Sequence, residues 1–213
     1  MPADISKQTI RRLPNYLNYL KGLGDDCPEY ISATSIAEGL KLNHVQVRKD
    51  IASISTSGRP KVGYLTKELI NELERFLGRD LSNNAVLVGA GKLGRALIGY
   101  DGFRKYGLNI LAAFDKQPNK DEQSSITILP AEEIKDFCKS RNVKMGIITV
   151  PAEFAQEVCD QLVDAGILAI WNFAPVHLTV PDGIIVQNEN MASSLAVLSK
   201  HLAENIKIDK GEK

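Results

Sequence analysis

No run of this 213-residue sequence approaches the roughly 20 apolar residues of a membrane span. The opening MPADISKQTIRR also lacks the apolar centre of a secretory signal. Neither a membrane protein nor an exported one is expected. Cysteine is scarce: Cys27, Cys138 and Cys159 are isolated, odd in number and form no C-x-x-C pair. That argues against a disulfide framework, a thiolate zinc site and a thioredoxin-like centre. The three read as reduced thiols of a cytoplasmic protein, and no metal site is expected. Histidine is limited to His44, His177 and His201. No histidine and carboxylate pair, and no lysine and tyrosine pair at helical spacing, offers the general acid or base that hydride transfer requires, so no catalytic residue is assigned. Net charge is formally zero, but residues 1–67 hold ten Lys+Arg against six Asp+Glu and residues 68–213 hold sixteen against twenty. The cationic excess is at the front.

The 44% hydrophobic content is ordinary for a globular chain with a core, and the length suits one large domain or two small ones. In TIRRLPNYLNYLKGL, the residues Ile10, Leu13, Leu17 and Leu20 recur at helical spacing; Pro14 is a local cost, tolerable if the helix proper starts near it. A second helix fits ATSIAEGL, capped by Ser32 and ending near Gly39. A third, in NHVQVRKDIASIS, is capped by Asn43 and buries Val47, Ile51 and Ile54. Gln46, Lys49 and Ser53 then lie on its other face, with Arg48 beside them. This is the helix-turn-helix plan, in which the second helix of the pair enters the major groove. In SGRPKVGYL, Gly58, Pro60 and Gly63 permit a tight hairpin, a wing that aims Arg59 and Lys61 at phosphate. A small helical domain with a solvated polar face would show the same periodicity; the basic wing and the local charge favour nucleic acid. A further helix, LTKELINELERFLG, has Thr66 as its expected cap and Leu69, Ile70, Leu73, Phe76 and Leu77 as its apolar stripe. The polar RDLSNN then connects to a different pattern.

That pattern is alternating strand and helix, which indicates a doubly wound parallel sheet. NAVLVGAGKLGRALIGY carries G-x-G-x-x-G at Gly89, Gly91 and Gly94. The first glycine permits the turn, the second lets a pyrophosphate approach the backbone, and the third allows helix and strand to pack closely. Free N–H groups at the helix start favour phosphate. A second strand, NILAAFD, ends in Asp115, 21 residues past Gly94, where a carboxylate can hold both adenosine ribose hydroxyls. NAD(H) is therefore favoured over NADP(H), a preference softened by Lys116 and Lys120. The strands MGIITVP and LAIWNFAP nominate Thr149, Val150 and Pro151, and Asn172 to Pro175, as lining of a cleft at the strand ends. NMASSLAVLSKHLAENIKI is amphipathic, with Met191, Leu195, Leu198, Leu202 and Ile206 on one stripe. Such a helix must dock on its own domain or on another subunit.

With QVRKDIASIS, GRPKVGY, GAGKLGRALIGY, AAFDKQP and NFAPV in this order, the chain resembles the Rex family of redox-sensing transcriptional repressors over nearly its whole length. The resemblance implies an α/β protein in three parts. These are a winged helix-turn-helix domain (1–80), a Rossmann NAD(H)-binding domain (81–188), and a dimer-exchanged C-terminal helix and tail (189–213). It also implies a homodimer that binds a two-fold symmetric double-stranded operator and leaves it when NADH rises against NAD+. Arg48 and Lys49 match the DNA-contacting helix, and Lys61 falls in the wing. Gly89, Ala90, Gly91, Lys92, Leu93 and Gly94 match the pyrophosphate loop and Asp115 the ribose carboxylate; Tyr100 matches a tyrosine near the nicotinamide end. Met191 falls where the exchanged helix reaches the partner's nicotinamide pocket. Family members commonly carry aspartate at the position of Asn190, and some pair it with arginine at that of Asn18, so a switch contact between two asparagines is expected to be shallow. The alternatives are an NAD-dependent oxidoreductase with an accessory N-terminal domain and a CoA-binding Rossmann protein.

Overall fold

In the computed structural model, which describes residues 5–78, 83–118 and 126–209, the first helix begins before Pro14. Helix α1 (Lys7–Gly22) starts at Ser6, whose hydroxyl accepts from the Thr9 amide, and carries Pro14 in its interior. Pro14 is therefore tolerated without the helix starting near it. Proline forfeits one ladder hydrogen bond, that to the Ile10 carbonyl, and Ile10 lies on the exposed side, 42% accessible rather than buried as its spacing suggested. The buried face is Thr9, Leu13, Tyr16, Leu17 and Leu20.

Strand β1 (Tyr30–Ile31) leads into α2 (Ala33–Leu40), capped by Ser32, and α3 (His44–Ala52), capped by Asn43. The turn between them is closed by Lys41 in the left-handed region, φ 54, and by the Leu42 amide on the Ala37 carbonyl. After the wing, β2 (Tyr64–Leu65) pairs antiparallel with β1 and runs into α4 (Thr66–Phe76). Thr66 is the first residue of that helix and not its cap. It is buried, and its hydroxyl donates to the Pro28 and Glu29 carbonyls, so it cannot turn back on its own helix. Phe76, expected in the apolar stripe, is exposed, while Leu69 and Leu73 join Leu13, Tyr16, Leu17, Ile36, Val47 and Ile51 in one core. Of the expected connection at 79–84, residues 79–82 lie outside the described residues, as does Lys120, while Asn83 and Asn84 belong to the strand that follows.

The second compact unit is built on six parallel strands in the order β5-β4-β3-β6-β7-β8. They are β3 (Asn83–Val88), β4 (Leu108–Asp115), β5 (Ile128–Pro130), β6 (Met145–Ile148), β7 (Ala169–Asn172) and β8 (Ile185–Asn188). The order reverses between β3 and β6, the crevice where doubly wound sheets bind ligands. Alternate residues of β3 serve the two faces. Val86 and Val88 pack with Ile134 and Cys138 of α6 (Ile134–Ser140) and with Ala155, Cys159 and Leu162 of α7 (Ala152–Asp164). Ala85 and Leu87 pack with Leu97 and Ile98 of α5 (Lys92–Ile98) and with Phe103, Trp171 and Phe173. The 19-residue α8 (Met191–Asp209) is different: Met191, Leu195, Leu198 and Leu202 are all exposed, Leu198 by 64%. Docking on its own domain is not what this helix does.

Candidate nucleotide site and nucleic-acid interface

The turn after β3 is shaped by its three glycines in three ways. Gly89 has φ +102, and a Cβ there would strike the Thr149 backbone at 2.8 Å. A Cβ on Gly94 would meet the Gly89 carbonyl oxygen, so the third glycine lets α5 close on the turn. Gly91 has φ −71 and open space where a side chain would stand. Neither fold nor backbone strain demands glycine at that position, which leaves room for a ligand as its use. Helix α5 begins at Lys92, and the amides of Lys92 and Leu93 precede its first internal bond, from Arg95 N to Gly91 O at 2.9 Å.

Asp115 ends β4 and faces this turn. One carboxylate oxygen accepts from the Ala90 amide at 2.8 Å, the other from Gln117 at 2.9 Å. Each oxygen keeps a further lone-pair direction. Thr149 fastens the other side, its hydroxyl donating to Gly89 O at 2.7 Å and Val88 O at 3.1 Å. Between them opens a cavity of about 740 Å³, walled by Gly89, Gly91, Asp115, Lys116, Thr149, Val150 and Pro151. Phe154, Glu157 and Glu132 also line it, and sequence reasoning missed them. Lys116 lies 4.3 Å above the Phe154 ring and 3.9 Å from Glu157, so its cation is engaged at the rim.

Of the expected nucleotide residues, Ala90, Lys92, Leu93 and Gly94 build the turn and the helix start without lining the cavity, and Asn172, Tyr100 and Met191 stand apart from its wall. Asn172 is fully buried, and its amide is spent on the Ala174 amide, the Val176 carbonyl and Asn188, so it shapes the loop after β7 instead of lining the cleft. Tyr100 is 57% exposed and meets Phe103 edge-on, with ring centroids 4.9 Å apart. Phe103 in turn meets Trp171, whose indole N–H donates to Glu189 at 3.0 Å. Met191 opens α8 and is exposed. Burial pushes the Cys138 and Cys159 thiols up to about 11.

In the N-terminal unit, α3 runs between two grooves. The first, about 530 Å³, lies between Ser32, Thr34 and Arg48 on one side and the wing on the other. The wing closes through reciprocal bonds of Arg59 and Gly63, with Lys61 at φ 64 on its tip. Arg59 is held over the Tyr30 ring, 5.8 Å from its centre. The second groove, about 620 Å³, is bordered by Ser6, Arg12, Asn43, Gln46, Lys49 and Ser53. Gln46, Arg48, Lys49 and Ser53 are all exposed, as their spacing suggested.

Beneath this face is a network that sequence reasoning did not find. Asp50, on α3 and buried, accepts from Arg12 Nε at 2.7 Å and Nη2 at 2.9 Å, from Tyr16 Oη at 2.7 Å and from Thr9 Oγ1 at 3.0 Å. Burial raises the Asp50 pKa, but the hydrogen bonds from Arg12, Tyr16 and Thr9 and the Arg12 charge outweigh it and hold the carboxyl below its usual range. Burial and the bond to Asp50 push Tyr16 up to about 12. A charge on the apolar stripe beside Val47 and Ile51 was the available signal.

Comparison with known proteins agrees with both halves. A family model described as "Putative DNA-binding protein N-terminus" matches residues 4–52, and one described as "CoA binding domain" matches residues 80–176. The "Redox-sensing transcriptional repressor Rex" of Treponema denticola is 44% identical over 89% of this chain and 91% of its own length. That of Clostridioides difficile is 39% identical over 94% and 97%. Among solved structures, "RSP in complex with beta-NAD+ and operator DNA" superposes with a TM-score of 0.87 at 35% identity, covering 99% of each chain. "RSP in complex with beta-NADH" does so with 0.83 at 34%, covering 97% of this chain and 98% of that one. A winged helix-turn-helix and a dinucleotide cleft in one chain define a DNA-binding regulator answering to a nucleotide. The chain belongs to the Rex family of redox-sensing transcriptional repressors. Its relatives are named as repressors, which sets aside the oxidoreductase reading.

Proposed function

We propose that this protein works in the cytoplasm as a homodimer that binds a two-fold symmetric operator and is released from it by NADH, with NAD+ the weaker ligand. The observation that carries the reading is Asp115, set at the end of β4 and tied to the Ala90 amide of the glycine turn. There it can accept from ribose hydroxyls, and it opposes a phosphate on the ribose. This disfavours NADP(H) and, for the same reason, CoA with its ribose phosphate. Gly91, Lys92 and Leu93 would offer N–H groups to the pyrophosphate. Tyr100 and the partner's α8, through Met191, would complete the nicotinamide end, where a neutral reduced ring is easier to bury than a cation. On DNA, α3 would enter the major groove, with Gln46, Arg48, Lys49 and Ser53 toward it and Arg59 and Lys61 toward phosphates.

The exposed α8 stripe supports the dimer: exposed apolar faces of this extent mark interaction surfaces. Asn190 caps α8, its carbonyl accepting from the Ser193 amide at 2.9 Å, which leaves its N–H groups to meet the carbonyl of Asn18 from the other subunit in one state. Two amides give that contact about 1 kcal/mol, against about 1.5–3 for a charged pair. Fluorescence anisotropy on a duplex selected by the protein tests the reading: NADH should raise the dissociation constant and NADPH should not. Equal release by the two nucleotides would remove the role given to Asp115.

A further inference from the structure

Gln46 stands at the third position of α3, in the N-terminal turn that a recognition helix turns toward base edges. Its neighbour across the 620 Å³ groove is Arg12, fixed by Asp50 through Nε and Nη2. In the orientation that satisfies both groups, the Gln46 carbonyl oxygen accepts from Arg12 Nη1 at 3.0 Å and Nη2 at 3.1 Å. The opposite orientation would set N–H against N–H. A carbonyl oxygen has two lone pairs, and the guanidinium takes both. An unconstrained glutamine pairs with adenine, donating to N7 and accepting from the N6 amine. Gln46 has lost the accepting half of that pair, while its two N–H groups are polarised by the cation behind them.

Resting on the DNA-binding reading above, we propose that Gln46 is a donor-only reader. Its carbonyl is held by Arg12, it turns two N–H groups to the major groove, and it selects a keto-edged base, guanine or thymine, at one position of each half-site. Guanine offers O6 and N7 and thymine O4, whereas adenine opposes the second N–H with an amine and cytosine offers only an amine. Arg12 is then a positioning residue: it need not touch DNA to set the base read by its neighbour. Asp50 holds Arg12, and Thr9 and Tyr16 hold Asp50 in turn.

The test is selection from a randomised duplex library by the full-length protein, by Gln46→Glu and by Arg12→Lys. A glutamate keeps one oxygen on Arg12 and shows the other to the groove as an acceptor. Gln46→Glu should therefore exchange a keto base for adenine or cytosine at the same symmetric position, inverting a preference of roughly tenfold. Arg12→Lys keeps a cation for Asp50 but gives up the fork, so adenine should become acceptable there while the other positions stay as they were. Identical selections by the wild type and Gln46→Glu would overturn the proposal, as would a wild type that prefers adenine or cytosine at the sensitive position. An unchanged keto preference in Arg12→Lys would overturn the clamp. A wild type that recovers no sequence would overturn the DNA-binding reading itself, whereas a site indifferent to residue 46 leaves that reading standing and removes only this one.

Discussion

Gly91 and Gly94 look alike in the motif and differ in what alanine would do to them. At Gly94 the methyl group falls on the Gly89 carbonyl, so Gly94→Ala should destabilise the nucleotide-binding unit by about 1–3 kcal/mol. At Gly91 the backbone is ordinary and the space empty, so Gly91→Ala should leave the melting temperature unchanged and weaken NADH, as read by calorimetry. Equal losses of stability in the two variants would contradict these roles. Asp50 carries a second prediction. Its carboxyl lies below the ordinary 3.8, so its stabilisation is fully present above that value and is lost as pH falls through the folded-state pKa. Asp50→Asn leaves Arg12 without a counter-charge and should cost about 3 kcal/mol at neutral pH. It should also flatten the acid dependence below 3.8, read as amide protection of α1 and α3. The two buried cysteines contribute nothing comparable: thiols held at about 11 expose little thiolate near neutrality.

Among the elements, those with a strong period or strict backbone demand were legible in advance. The caps Ser32 and Asn43, the buried Val47 and Ile51 and the strands through Val88 and Asp115 follow from local rules. What escaped is short or non-local. Strand β5 has three residues, one of them Pro130, and β8 turns only half-buried or exposed side chains outward from the sheet edge. Their apolar runs, at 128–129 and 184–186, are too short to assign a strand by period. Helix α6 has only seven residues and buries Ile134 and Cys138 alone. The Arg12–Asp50 pair joins residues 38 apart, and Thr66 gave up its capping role to carbonyls 37 and 38 positions upstream. No local pattern reveals such partners. For α8 the period was clear and the missing fact is what covers it. Leu195→Lys together with Leu198→Lys changes two exposed positions, so the fold should survive, while light scattering should report monomers and operator affinity should fall steeply. A dimer that persists would place the subunit contact elsewhere.

At the scale of the whole molecule, the glycine cleft belongs to one compact unit and the two grooves flanking α3 to the other. Any influence of NADH on DNA is then a coupling free energy and must be reciprocal: operator duplex weakens NADH by the factor by which NADH weakens the duplex. The chain carries its own instrument for measuring this. Trp171 is the single tryptophan, fixed at the end of β7 by its bond to Glu189 and by Phe103 and Phe173. Reduced nicotinamide absorbs light where an indole emits, and the oxidised ring does not. NADH arriving in the cleft should dim the tryptophan and light up the nicotinamide, while NAD+ leaves this transfer silent. The same titration repeated with operator duplex present reads the coupling directly. Two redox states of one ligand can thus be told apart by their colour, with no label attached.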